Sequence, residues 1–322
     1  MIRVVGHDAA RSAMMQAATS GRLHHGWILA GPPGIGKAAL ARDIALCLLA
    51  GEEAAGTVPD THPAARLFEA RTHPDYAELA RLEKDNGDLA RNISIDQVRA
   101  LGRLLSTAPS ISRRRVILID SADDLEPSAA NALLKSLEEP PRDVIFLLVS
   151  HAPSRLLPTI RSRCRLLRLS PLDDARMEEV LAREAPDMSA EDRAALIRVG
   201  EGSPGRALAL SGLGVGEMLA AMRRILATGD ASNRERLALA KALATRPARP
   251  RYEAFLVQAP AFIAGEARKR SGPALAAALH AWEQARDLAG GAVLLSLDPA
   301  ATVFELCSHI ASLADGEGSR AA

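Results

Sequence analysis

Apolar residues in the first half of the chain fall into short unbroken runs, and in the second half they fall into stripes at helical spacing. Trp27–Ala30, Val116–Ile119 and Val144–Val149 are continuous apolar runs, separated by segments in which apolar positions recur every three or four residues. Continuous runs suit strands buried on both faces, and strands alternating with helices suit a parallel sheet covered on both sides. The pattern predicts a helix over Val5–Ala18, a strand at Trp27, a helix over Lys37–Leu49 and a strand over Tyr76–Leu82. It continues with a helix running from an Asp96 cap to Ser106, a strand over Val116–Asp120, a helix over Glu126–Glu139, and strands over Val144–Val149 and Arg165–Leu169. Gly51–Thr72 reads as irregular, and the polar run at residues 83–88 as a turn.

Beyond Pro171 the period changes. Leu172, Met177, Val180, Leu181, Leu196 and Val199 sit at helical spacing and predict a small three-helix unit. After Gly212–Gly216 come five helical stretches, broken at Gly229, Pro247/Pro250, Ser271–Pro273 and Gly290-Gly291. Their Ala-rich apolar faces suit close helix packing, with Trp282 and Phe304 expected in the core. The expected organisation is therefore an α/β parallel-sheet domain at 1–170, a helical lid at 171–211 and an all-α bundle at 212–322. The small polar residues from Asp315 to Ala322 read as a disordered tail.

Composition narrows the function classes. A formal net charge of +1 argues against a chain whose whole surface grips nucleic acid. The three cysteines, Cys47, Cys164 and Cys307, are far apart and form no C-x-x-C pair, which fits a reducing compartment. No apolar run reaches the roughly 18 residues of a membrane span. The expectation is a cytoplasmic chain without membrane contact.

Candidate chemistry centres on Gly31-Pro-Pro-Gly34-Ile-Gly36-Lys37, which fits the phosphate-loop pattern G-x-x-x-x-G-K-[ST] except at its last position. Glycines there let backbone N–H groups converge on phosphate oxygens, and the helix N-terminus favours the anion. Lys37 would add a cation at the β/γ-phosphates. The position that should carry a hydroxyl is Ala38, and a methyl group cannot ligate Mg²⁺. Asp120 ends an apolar run, where a parallel strand delivers a carboxylate beside the loop. The following position, where a hydrolysing enzyme usually carries Glu, is Ser121, a poor base. The vicinal His24 and His25 lie in a turn and read as structural. Ser110–Arg115 is a basic loop, read as solvated, with phosphate contact through Arg113–Arg115 as the rival reading.

Taken in order, Gly31–Lys37, Asp120-Ser-Ala-Asp123, Asn131-Ala-Leu-Leu-Lys-Ser-Leu-Glu-Glu-Pro-Pro141 and Ser162-Arg163-Cys164 resemble the clamp-loader subunits of the AAA+ family. His73-Pro74-Asp75 and Ile95–Arg99 are similar to its delta-prime branch. The likeness covers roughly residues 24–210. It implies an AAA+ P-loop domain, a lid and a collar that joins subunits. It also implies that Arg163 acts in trans as an arginine finger at a neighbour's ATP site, with Cys164 as a packing residue. Arg206 falls where the family has a second sensor arginine reaching nucleotide from the lid. The nucleotide-binding set implied is then Gly31, Gly34, Gly36, Lys37, Ala38, Asp120 and Arg206.

Ala38 and Ser121 depart from the hydrolysing gamma/tau type and point to a subunit without ATPase activity of its own. No cofactor is required on this reading, and ATP binding stays open. Zinc is not expected, because the family's cysteine-rich module is missing. The implied partners are gamma/tau and delta-type subunits, and, through the assembled complex, the sliding clamp and primer–template DNA. The rival readings are an active gamma/tau-type ATPase and a stand-alone DNA-binding protein using Arg113–Arg115.

Overall fold

In the computed structural model of the chain, residues 4–52, 56–85 and 87–314 are described. The expected tail at 315–322 lies outside them. Contacts divide the chain into two compact units, one of residues 1–180 and 201–206, the other of residues 181–200 and 207–322. Residues of the expected lid are thus shared between them.

The first unit opens with α1 (Asp8–Thr19), β1 (Gly26–Ala30), α2 (Lys37–Ala50), α3 (Pro63–Glu69) and β2 (Tyr76–Ala80). It continues with α4 (Ile95–Leu105), β3 (Arg115–Asp120), α5 (Pro127–Glu138), β4 (Val144–Ser150), α6 (Pro158–Ser162) and β5 (Arg165–Arg168). The strands form one parallel sheet in the order β2-β3-β4-β1-β5. The unbroken apolar runs have a simple cause in the pleat, which sends successive side chains to opposite faces. Leu29, Val116, Leu118, Leu147 and Val149 join one apolar cluster with α1, α2 and α3. Ile28, Ile117, Ile119, Phe146 and Leu148 join a second with α4 and α5. With both faces covered, the central strands β1, β3 and β4 stay apolar through their middles, while the edge strands β2 and β5 carry Glu78, Arg165 and Arg168.

Three local expectations are corrected. The stretch 51–72 contains α3, started by His62, whose ring nitrogen accepts the Ala64 N–H at 3.1 Å, and by Pro63. The cap of α4 is Ser94 rather than Asp96. Its hydroxyl accepts the Gln97 N–H while the Gln97 amide oxygen accepts the Ser94 N–H, a reciprocal capping box. The Ser110–Arg115 loop is not solvated throughout, because Arg114 and Arg115 are buried.

Next come α7 (Asp174–Glu184), α8 (Ala190–Gly200) and α9 (Pro204–Ala209), followed by α10 (Val215–Thr228) and α11 (Arg234–Leu243). The last three helices are α12 (Arg249–Ala267), α13 (Gly272–Ala292) and α14 (Pro299–Ala311). The helical second unit is built on Met218, Met222, Ile225, Phe255, Ile263, Val303, Leu306 and Ile310, all buried. Trp282 and Phe304 are only half-buried. Each lies under an arginine, Arg286 at 5.0 Å and Arg236 at 5.2 Å from the ring centroid. Together the two units give the expected class at the level of architecture, an α/β parallel-sheet domain followed by helices alone.

Candidate functional site

The phosphate-type loop leaves the C-terminal end of β1 between β4 and β5. The Gly31 N–H donates to the Ser150 carbonyl at 3.2 Å. A Cβ at Gly31 would meet the Leu169 carbonyl oxygen at 2.5 Å, so only glycine fits beside the neighbouring strand. Gly34 and Gly36 have φ of +74° and +98°, and Gly36 precedes the first turn of α2. The loop geometry expected from the sequence is therefore present.

Its polar groups are turned inward. Lys37 is 3% exposed, and its Nζ donates to the carbonyls of Gly31 (2.7 Å) and Pro32 (2.6 Å). Burial lowers its pKa to about 8, against the opposing pull of Asp123 and Asp120. The Pro33 carbonyl accepts from the Ser203 hydroxyl at 2.9 Å, and the Gly34 carbonyl accepts from the Gly205 N–H at 2.9 Å. The Ile35 carbonyl is met by the His7 ring nitrogen at 2.7 Å. Loop carbonyls are thus held by the loop's own lysine, by the N-terminal segment and by residues 203–205. The Ala38 methyl packs against the core cluster under α2.

The acids beside the loop have different surroundings. Asp120, at the end of β3, is pushed up by burial, opposed mainly by the Arg42 guanidinium 3.3 Å away. Arg42, on α2, also bonds Glu78, which accepts the Tyr76 hydroxyl at 2.7 Å. Asp123 is the more heavily bonded acid. It accepts from the hydroxyls of Ser121 (2.9 Å) and Ser150 (3.0 Å), and from the N–H groups of His151 (2.6 Å) and Ala152 (3.1 Å). Burial would raise its pKa, but these donors outweigh it and hold the carboxyl below its ordinary range. Ser121 therefore serves as a donor to Asp123, tying the end of β3 to the end of β4.

This arrangement lacks two groups that Mg²⁺-assisted hydrolysis uses. No hydroxyl stands at residue 38 and no base at 121. The acid at 120 faces a guanidinium, and the loop lysine is satisfied by its own backbone.

Arg163 lies elsewhere. It follows α6, its guanidinium donates to the Thr159 carbonyl at 3.0 Å, and it pairs with Glu138 at 2.8 Å. A Cβ on Gly26 would meet the Arg163 carbonyl oxygen at 3.2 Å, which puts Arg163 at the N-terminal edge of the sheet. The loop leaves the opposite edge, five strand residues away, or about 16 Å at the rise of a parallel strand. The structure gathers Gly31, Gly34, Gly36, Lys37, Ala38 and Asp120, and leaves Arg163 out. The Arg206 N–H bonds the Ser203 hydroxyl beside the loop, but its guanidinium pairs with Glu201 at 3.0 Å. Cys164 is half-buried, and burial pushes its thiol up to about 11, which fits packing rather than nucleophilic chemistry. His25 bonds the Leu137 carbonyl at 3.1 Å and His24 bonds Gly26, which is structural work at the same edge as Arg163.

Sequence reasoning missed His7 and Ser203 as partners of the loop. Neither carries a local signal, since each meets the loop only through tertiary contact.

A sheet of this order, with a glycine loop after β1 and an acid at the end of β3, defines a P-loop nucleotide-fold domain. The family model described as DNA polymerase III, delta subunit matches residues 6–173, and the chain belongs to that family. It is 44% identical over 197 residues to the DNA polymerase III subunit delta' of Pseudomonas aeruginosa, covering 61% of this chain and 58% of the relative. It is 37% identical over 191 residues to the delta' subunit of Escherichia coli, covering 59% and 55%. A more distant likeness, 33% over 214 residues, is to the tau subunit of Escherichia coli, covering 65% of this chain and 32% of that one. The matched part of the chain thus spans 55–58% of the length of these two delta' relatives.

Proposed function

We propose that this chain is a non-hydrolysing clamp-loader subunit of a replicative DNA polymerase III, and that it supplies Arg163 to the ATP site of a neighbouring ATPase subunit. The observation that carries the reading is the separation of Arg163 from the chain's own phosphate loop. A guanidinium at the far edge of the sheet cannot reach a nucleotide held at residues 31–37. It is half-exposed, where a partner's γ-phosphate could take it over from Glu138. An arginine supplied in this way stabilises the charge that spreads over the transferring phosphoryl group. The chain's own loop is scaffold on this reading and requires no cofactor. Gly34, Gly36 and Lys37 keep its shape, while Ala38, Ser121 and the Arg42–Asp120 pair take no part in hydrolysis.

The partners are subunits of the gamma/tau and delta types. The sliding clamp and primer–template DNA are met through the assembled complex. The burial of Arg114 and Arg115 speaks against a separate DNA grip by the Arg113–Arg115 loop. No helix among the described residues is long and apolar enough to cross a membrane.

The test is Arg163→Ala in a complex reconstituted with gamma/tau- and delta-type subunits. Turnover at the interface served by this chain should fall about a hundredfold or more while the complex still assembles. Full turnover by the variant complex, or Mg²⁺-dependent hydrolysis by the isolated chain that Lys37→Ala abolishes, would overturn the reading.

A further inference from the structure

Glu138, the carboxylate opposite Arg163, is the last residue of α5. The His25 ring bonds the carbonyl of the preceding residue, Leu137, at 3.1 Å and fixes the end of the helix. The Arg163 backbone is placed as firmly. A Cβ on Gly26 would stand 3.2 Å from its carbonyl oxygen and 2.8 Å from the Cys164 sulfur. Movement is therefore left to the Arg163 side chain. Its Nη1 donates to the Thr159 carbonyl at 3.0 Å and to the Ser162 hydroxyl at 3.3 Å, and its Nη2 lies 2.8 Å from Glu138 Oε1. Both terminal nitrogens, the pair that grips a phosphate end-on, are thus occupied by the chain itself. Stability does not account for this arrangement, because the two side chains are 34% and 46% exposed and such a pair adds little. Nor is it general to the segment. Among the described residues, the flanking Arg161 and Arg165 have no carboxylate partner, and Arg165 lies over the Trp27 ring at 5.9 Å.

We infer that Glu138 is a built-in restraint on Arg163: it neutralises the guanidinium and holds it against α6 until the neighbour's γ-phosphate takes it over. This rests on the finger role proposed above and adds the residue that regulates it. The exchange has a definite sign. A ligand shifts an equilibrium only by what it gains in one state over the other. The γ-phosphate must therefore outbid the carboxylate, and ATP binding at the shared interface is weakened by whatever the Glu138 pair contributes. The restraint is also selective. A nucleoside diphosphate lacks the group that competes with Glu138, so it leaves Arg163 on its own chain. Glu138 is thus a positioning residue that acts through Arg163 and makes engagement of the finger conditional on the terminal phosphate.

Glu138→Gln keeps the size of the side chain and removes its charge. The test uses a complex reconstituted with gamma/tau- and delta-type subunits, in which only the interface served by this chain turns over. There the KM for ATP should fall about two- to fivefold with Glu138→Gln, the range open to a half-exposed pair, while kcat moves by less. In the Arg163→Ala background the same substitution should leave KM where Arg163→Ala alone puts it, because no finger remains to be restrained. An unchanged KM in Glu138→Gln, with turnover still lowered by Arg163→Ala, would overturn the restraint and leave the finger role standing. So would a fall in kcat at constant KM, since Glu138 would then orient the finger rather than hold it back. A KM shift that survives in the Arg163→Ala background would overturn the restraint as well. Full turnover by Arg163→Ala would overturn the finger role itself, and the restraint with it.

Discussion

Asp75 is the residue on which the first unit places its largest local demand. It is fully buried and accepts the N–H groups of Ser110 (2.6 Å), Ile111 (2.8 Å) and Ser112 (2.9 Å), with Arg115 Nη2 at 3.1 Å. Arg115 is buried as well, and it donates to the carbonyls of Thr107 (2.7 Å) and Ala108 (3.0 Å). Desolvation alone would raise the Asp75 pKa, but the three N–H groups and the guanidinium outweigh it, and the carboxyl sits below its ordinary value. The folded chain therefore binds this proton more weakly than the unfolded chain does. The stability it contributes is complete above the usual carboxylate pKa of about 4 and is lost as pH falls further, through the folded value. Asp75→Asn should cost about 3–5 kcal/mol at pH 7, because it leaves a buried guanidinium uncompensated. Urea melts of both chains at pH 7 and near pH 3 would check this, since the gap should narrow in acid. The His73-Pro74-Asp75 string was visible in the sequence, but nothing local showed that its partners lie 35 to 40 residues ahead.

Among the elements, the phosphate-type loop and the segment that closes it are the most interdependent. Gly34 has φ of +74°, and an added Cβ would stand 2.4 Å from the Ser203 hydroxyl and 3.1 Å from the Arg206 nitrogen. Gly34→Ala combines a left-handed backbone penalty of about 1–2 kcal/mol with that clash. The expected result is local opening: the Gly205 amide, bonded to the Gly34 carbonyl, should lose hydrogen-exchange protection while the β3 and β4 amides keep theirs. The helices of the second unit show how packing can override local signals. The sequence predicts a break at Gly290-Gly291, yet α13 runs on to Ala292, and α12 continues through Pro260. Two helical glycines cost about 1 kcal/mol each and an interior proline about 3. The buried Ala278, Ala281, Ala285 and Ala292 of α13, and Phe255, Ala259 and Ile263 of α12, supply the compensating contacts.

At the scale of the molecule, the two ends of the sheet carry different groups. One holds the loop, closed on itself, and the other presents Arg163. If Arg163 serves a neighbour rather than its own fold, its loss should hardly affect the isolated chain. The Glu138 pair is half-exposed, and such pairs contribute about 0–1 kcal/mol. Arg163→Ala should therefore shift the thermal midpoint of the free chain by no more than about 2–3 °C, as checked by calorimetry. A larger loss would show that Arg163 works mainly as a structural residue.

The sequence by itself determined the strands, the loop and the catalytic departures. A strand buried on both faces must be apolar throughout, a loop that crosses a neighbouring strand closely must carry glycine, and Ala38 and Ser121 lack the needed atoms wherever they lie. Only the tertiary structure decided where the polar groups turn. Lys37 bonds its own loop, Asp120 meets Arg42 from α2, and Arg115 is buried rather than solvated. It also placed Arg163 across the sheet from the loop whose pattern first drew attention. The Arg42–Asp120 and Asp75–Arg115 pairs join residues 78 and 40 apart, and a charge takes its role from the group that shares its desolvation, which no run of neighbouring residues can encode.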